Sequence, residues 1–137
     1  MESNFALKLK EKAEDEPYVK FLNMEIVEIK PGYAMVKGKV KKNMLNLHGI
    51  THGGFLFSIV DEAFELASNS HGTSAVALNM NITYFLPTFE GDEIVAEAEE
   101  INRTKRTATY NIKVTCDNNL IASCQALVYR KDKPLQI

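Results

Sequence analysis

An α+β domain, with one buried helix packed on a curled antiparallel sheet, is the fold class that three features of this sequence predict. Six stretches alternate apolar and polar residues with the period of a β-strand, over residues 24–30, 33–41, 74–85, 92–101, 107–116 and 120–130. One run, residues 55–70, is apolar around most of a helical circumference. The 137 residues, 45% hydrophobic and 25% charged, suit a single domain that buries roughly 68% of its unfolded surface without a disulfide or metal staple. A sheet that is apolar on one face can bury such a helix by curling around it.

Residues 3–14 place Phe5, Leu9 and Ala13 at helical spacing among alternating charges, which predicts an amphipathic surface helix. Asp15-Glu16-Pro17 starts a second, brief helix over residues 17–22, because proline suits a first helical turn. Pro31-Gly32 joins the first two strands as a hairpin: proline fixes φ and glycine accepts a positive one. On the second arm Ala34, Val36, Gly38 and Val40 form a dry face against Tyr33, Met35, Lys37 and Lys39. A polar, glycine-bearing loop over residues 43–54 leads into the apolar helix, which Gly72 ends. In the next strand, strict alternation puts Ala75, Ala77, Asn79, Asn81 and Thr83 on one face and Val76, Leu78, Met80, Ile82 and Tyr84 on the other. Pro87 and Gly91, then Arg103-Thr104-Lys105-Arg106, then Asp117-Asn118-Asn119, divide the remaining strands.

Sixteen basic and eighteen acidic residues leave a formal charge of −2, so no overall field selects nucleic acid as a partner. The N-terminal stretch mixes lysines with acids and lacks the apolar run of a signal peptide or membrane span, and a cytoplasmic protein is expected. Cys116 and Cys124 fall inside strands and outside any CxxC or Cys/His spacing, which predicts reduced, packed side chains.

Chemistry concentrates in Asn46-Leu47-His48-Gly49-Ile50-Thr51-His52-Gly53-Gly54, with Asp61 two turns into the helix. A Gly-Gly pair at a helix start lets a ligand approach free backbone N–H groups at the positive end of the helix dipole. Such a terminus suits negative charge on a phosphate or on the oxygen of a reacting carbonyl; a tight turn into the helix accounts for the same two glycines. One-turn offsets put Ser58, Glu65 and Ser68 on the side of Asp61. A solvated stripe of Ser58, Asp61, Glu62, Glu65, Ser68 and Asn69, and a stripe facing a cleft between subunits, have the same periodicity. His48 and His52 are four apart, but the glycines at 49, 53 and 54 oppose a helix that would aim both rings at one ion, so no metal site is expected. Neither Ser58 nor Ser68 stands in a nucleophile-elbow context.

The segment from Asn46 to Ala63, with its Asn, its His-Gly-Gly, its Phe-Ser and its helical Asp, resembles the hotdog-fold acyl-CoA thioesterases of the phenylacetic-acid-degradation (PaaI-like) type. The similarity continues through Ala67-Ser68-Asn69-Ser70-His71-Gly72, Phe85-Leu86-Pro87, Gly91-Asp92 and Tyr129-Arg130. The resemblance implies a hotdog fold and hydrolysis of an acyl- or aryl-acyl-CoA to acid and free coenzyme. By position, Asp61 would be the catalytic carboxylate, as general base or nucleophile, and the Gly53 N–H would hold the oxyanion. Asn46 would orient water or thioester, with His52 near the sulfur. Gly54, Phe85 and Thr88, with Arg103, Thr104, Lys105 and Arg106 at the coenzyme phosphates, complete the expected substrate contacts. One departure stands out: Ala77 occupies a position where some animal relatives carry a water-placing serine.

No metal, triad or redox cofactor is expected, because a thioester carbonyl is already reactive enough for one carboxylate and one preorganised donor. A hotdog enoyl-thioester hydratase and a non-catalytic acyl-CoA sensor are the alternatives the fold allows. The charge-mixed residues before Met24 do not read as the DNA-binding helix-turn-helix of such sensors. The resemblance implies that the strand over residues 74–85 pairs with its own copy across a two-fold axis with the site between subunits, and because a monomer would leave a long edge exposed, a dimer that pairs again into a tetramer is expected.

Overall fold

The computed structural model describes residues 3–137. Its elements are α1 (Asn4–Glu14), α2 (Pro17–Leu22), β1 (Glu25–Lys30), β2 (Tyr33–Lys39), α3 (Gly53–Asn69), β3 (Thr73–Tyr84), β4 (Glu93–Arg103), β5 (Thr107–Cys116) and β6 (Asn119–Pro134). Each predicted element is present, with α3 starting two residues earlier and β6 ending four residues later than the periodicity suggested. The six strands form one antiparallel sheet in the order β1-β2-β4-β5-β6-β3. It curls around α3, the hotdog arrangement.

Local chemistry explains the element ends. The Ser3 hydroxyl accepts the Ala6 N–H at 3.1 Å and caps α1. Gly32 takes φ +74° in the first hairpin, and its N–H donates to Ser70 Oγ at 2.8 Å, tying that turn to the end of α3. Asp117 and Asn118 both adopt left-handed angles, +49° and +65°, the two-residue turn whose twist matches the strands it joins.

The core lies between α3 and the inner face of the sheet. Ile59, Val60, Ala63, Phe64, Leu66 and Ala67 of the helix meet Val36, Ile94, Ala96, Tyr110, Ile112 and Val114, all essentially inaccessible. The rings of Phe64 and Tyr110 pack edge to face, 5.7 Å apart. Gly38 permits the closest approach of sheet and helix, since a Cβ there would stand 2.9 Å from the Phe55 ring. Cys116 and Cys124 are free and buried.

β3 departs from the strict alternation. Its pairing with β6 slips between Ala77 and Asn79, so Leu78 is an extra residue, a β-bulge. Ala77 faces Val128, and beyond the bulge Met80, Ile82 and Tyr84 face Ala126, Cys124 and Ala122, whose side chains are buried. Ala77 therefore shares the inner face with Met80, Ile82 and Tyr84, not with Asn79, Asn81 and Thr83. β3 is also an edge strand, and it exposes Val76 and Leu78. Among the described residues no helix is long and apolar enough to cross a membrane.

Candidate active site

The loop before α3 is held in shape by its own side chains. Asn46 Oδ1 accepts the N–H groups of His48, at 2.9 Å, and Ile50, at 3.3 Å, and the Asn46 N–H donates to the Ile50 carbonyl. His52 is the N-cap of α3: its Nδ1 accepts the Gly54 N–H at 2.9 Å. The glycine is needed for this cap, because a Cβ at Gly54 would lie 3.0 Å from that nitrogen. The Gly54 donor is thus occupied within the chain. The Gly53 N–H, one residue earlier in the first helical turn, has no such partner among the described residues.

Tyr84, at the end of β3, reaches over this helix start. Its hydroxyl donates to the Gly53 carbonyl at 3.1 Å, and a Cβ on Gly53 would stand 3.3 Å from it. Asn46, Gly53, Tyr84, Phe85 and Thr88 line one cleft of about 440 Å³. Phe85 is half exposed there, while Thr88 is buried and donates its hydroxyl to Thr51 Oγ1 at 2.7 Å. Thr88 therefore builds the cleft floor. Tyr84 was not singled out as a site residue from the sequence, where it read as one member of an alternating strand.

Asp61 lies elsewhere. It lines a separate cavity of about 190 Å³ with Phe64, Glu65, Ser68, Ala75, Val76 and Ala77, sharing no residue with the Gly53 cleft. Ala77, the position of the missing serine, is beside the carboxylate but brings no hydroxyl. Eight residues of α-helix separate Asp61 from Gly53, about 12 Å at 1.5 Å per residue. The first-turn N–H points away from the helix body, which puts its acceptor about 3 Å further off. One chain therefore does not bring Asp61 and Gly53 to the same carbonyl.

Burial raises the Asp61 carboxyl above the usual carboxylate range, and the nearby Glu16 of the α1–α2 junction adds to the shift. Glu16 also lies against Glu62 and Glu65, with one carboxylate oxygen of each within 4.8 Å of the others. Burial first, then the neighbouring Glu16, push both Glu62 and Glu65 upward, so a proton held on Glu62 or Glu65 relieves the like charge. Glu62 Oε2 is buried with no hydrogen-bond partner. The α3 stripe is thus not simply solvated: Glu62, Ser68 and Asn69 are buried, and Asp61 faces a cavity. Neither Glu16 nor its burial against α3 has a signal in the sequence.

The basic turn is at the far end of the sheet. Thr107, just after it, pairs with Tyr129, which also faces Val76 near the start of β3, whereas Tyr84 and the Gly53 cleft lie at the opposite end of that strand. Arg106 Nη1 donates to the Tyr129 hydroxyl at 3.4 Å, and Arg103 Nε is 3.7 Å from Glu100. Arg130 Nη1 donates to the Thr104 carbonyl at 2.9 Å. Arg103 to Arg106 are all exposed.

Comparison with known proteins points one way. The thioesterase superfamily profile matches residues 48–123, which include α3 and most of the sheet. The acyl-coenzyme A thioesterase PaaI of Escherichia coli is 39% identical over 101 residues, 74% of this chain and 72% of that protein. The E. coli PaaI structure superposes with a TM-score of 0.87 at 32% identity, covering 93% of this chain and 99% of that one. A Streptococcus mutans protein solved bound to acetyl CoA superposes with a TM-score of 0.80 at 26% identity, over 84% and 94% of the two chains. Agreement over more than half the sequence and nearly all of the fold leaves one assignment: the chain belongs to the thioesterase superfamily, among the PaaI-like hotdog acyl-CoA thioesterases.

Proposed function

We propose that the protein hydrolyses an acyl- or aryl-acyl-CoA at sites formed between two copies of the chain, each with Asp61 from one copy and the Gly53 N–H of the partner subunit. The observation that carries this reading is the separation of the two groups. A general base acts within hydrogen-bond reach of its water, and an oxyanion donor stands about 2.7–3.1 Å from the oxygen it stabilises. Both conditions are met at one carbonyl only if a second helix start is laid beside Asp61. The exposed, apolar edge of β3 supports strand pairing between copies as the means.

In the reaction, ionised Asp61 takes a proton from water as the water oxygen attacks the thioester carbon. The carbonyl oxygen becomes an oxyanion facing the partner's Gly53 N–H, at the positive end of that helix. Collapse of the tetrahedral intermediate breaks the C–S bond, and the proton held on Asp61 passes to the departing thiolate, giving free acid and coenzyme. The raised Asp61 carboxyl makes it a better proton acceptor than an ordinary aspartate. Asn46 lines the cleft at Gly53, where it would orient water or thioester, and the His52 ring caps the same helix start. Location in the cytoplasm and assembly of dimers into a tetramer belong to the same reading.

Free-thiol release from a panel of acyl-CoAs tests it. Asp61→Asn should cut turnover by about 10² or more with folding intact, the size of a lost general base. Wild-type turnover by folded Asp61→Asn protein refutes the assignment, and enoyl-CoA hydration without thiol release would make the protein a hydratase.

A further inference from the structure

We infer that the acyl group of the substrate lies in an apolar chamber between α1, the C-terminal half of α3 and the start of β3, so that the N-terminal helix sets acyl-chain preference. The inference rests on Asp61 being the catalytic carboxylate. A cavity of about 330 Å³ is lined mainly by apolar side chains, Leu9 and Ala13 of α1, Leu66 of α3, Ala75 and Val76 of β3, and Leu135 after β6, together with the polar Lys12, Glu16, Glu65, Asn69 and Ser74. Glu65, Ala75 and Val76 line both this chamber and the Asp61 cavity. The two spaces therefore adjoin, and a group attached to a carbonyl beside Asp61 has a direct path inward. Measured along α3, the path runs about 6 Å to Glu65 and about 12 Å to Asn69.

The one buried polar side chain of the chamber wall, Asn69, is satisfied inside the protein. Asn69 Nδ2 donates to the carbonyls of Glu65, at 2.9 Å, and Ala75, at 3.2 Å, and its Oδ1 accepts the Ala75 N–H at 2.9 Å. Glu65, at the junction, is held toward its neutral form by burial and by Glu16. The apolar side chains from Leu9 to Leu135, which make up most of the lining, suit a hydrocarbon or aryl group. Ligand cavities begin at about 300 Å³, so the chamber fits a medium-length or aryl-terminated acyl group, and acetyl would leave it empty.

Binding of non-hydrolysable S-alkyl-CoA thioethers, measured by calorimetry, tests this without requiring turnover. Ala13→Leu, which narrows the chamber, should weaken S-hexyl- and S-phenethyl-CoA about tenfold while S-ethyl-CoA binds as before. Leu9→Ala should shift the preference the other way, toward S-decyl-CoA, and it decides the question alone if the first variant does not fold. The S-ethyl ligand controls for general damage in each variant. An unchanged chain-length profile, or an equal loss for all thioethers, overturns the chamber as the acyl site. A change in oligomeric state with an unchanged profile would mean that a second copy fills it, and overturns it equally. Predicted shifts in binding with no hydrolysis of any acyl-CoA would uphold the chamber and remove the thioesterase reading.

Discussion

Removing a single backbone N–H separates action within one chain from action across two. Gly53→Pro does this with little collateral change. Proline is well tolerated at the first position of a helix, and the preceding His52 already has φ −65° and ψ 136°, the extended conformation proline imposes on its predecessor. The new Cβ would meet the Tyr84 hydroxyl at 3.3 Å, a contact a side chain can relax. Loss of one oxyanion donor lowers turnover by about 10² to 10³, and Asp61→Asn lowers it comparably. The two inactive proteins are then combined by co-expression or by dissociation and reassembly. If Asp61 works with the partner's Gly53, every mixed dimer holds one intact site and one doubly damaged site. Random pairing makes half the dimers mixed, so thiol release should recover to about a quarter of the wild-type rate. A mixture no more active than its parents, with mixed dimers demonstrated by differential tags, would refute the composite site.

The pH profile should report the surroundings of Asp61. The base acts only when ionised, and burial followed by Glu16 raises its pKa, so the acid limb of kcat/KM should lie above the ordinary carboxylate range; Glu16→Gln, which removes one repelling charge, should move that limb to lower pH. Lys105→Ala with Arg106→Ala should raise KM for acyl-CoA more than it lowers kcat, with the penalty shrinking at high salt, if the exposed turn meets the coenzyme phosphates. Arg103 is left in place there because it lies beside Glu100, which also bonds His71 and Tyr110. An equal loss on short thioesters lacking the nucleotide would place the effect in packing. His52→Ala removes the α3 cap and should lower stability by about 1 kcal/mol, read as a lower urea midpoint at unchanged slope.

The elements were legible in the chain because period and punctuation agree. Pro31-Gly32, Asp117-Asn118-Asn119 and the all-round apolar run over residues 55–70 each carry their own physical signal. The bulge at Leu78 carried none: Val76, Leu78, Met80, Ile82 and Tyr84 alternate without a flaw, and only pairing with β6 reveals that one residue is extra. The candidate site residues carry a local sequence signal, and their arrangement does not. Asn46, Gly53, Phe85 and Thr88 do share a cleft. The occupied Gly54 N–H, the Tyr84 hydroxyl over Gly53 and the approach of Glu16 to α3 depend on three-dimensional packing between segments far apart in the chain, which no local pattern encodes.

The extra residue at Leu78 divides β3 into two half-strands that can drift independently. Ala75, Val76 and Ala77 border the Asp61 cavity, while Met80, Ile82 and Tyr84 close over the core and the start of α3. Because the bulge already breaks the ladder between them, a shift of the backbone in the first half is absorbed before it reaches Tyr84. Side chains near Asp61 can then be exchanged over evolutionary time without moving the helix start. Deleting Leu78 would remove that freedom: it would leave one unbroken alternation, with Ala77, Met80, Ile82 and Tyr84 on the inner face and Asn79, Asn81 and Thr83 on the outer, so that a shift in either half passes to the other.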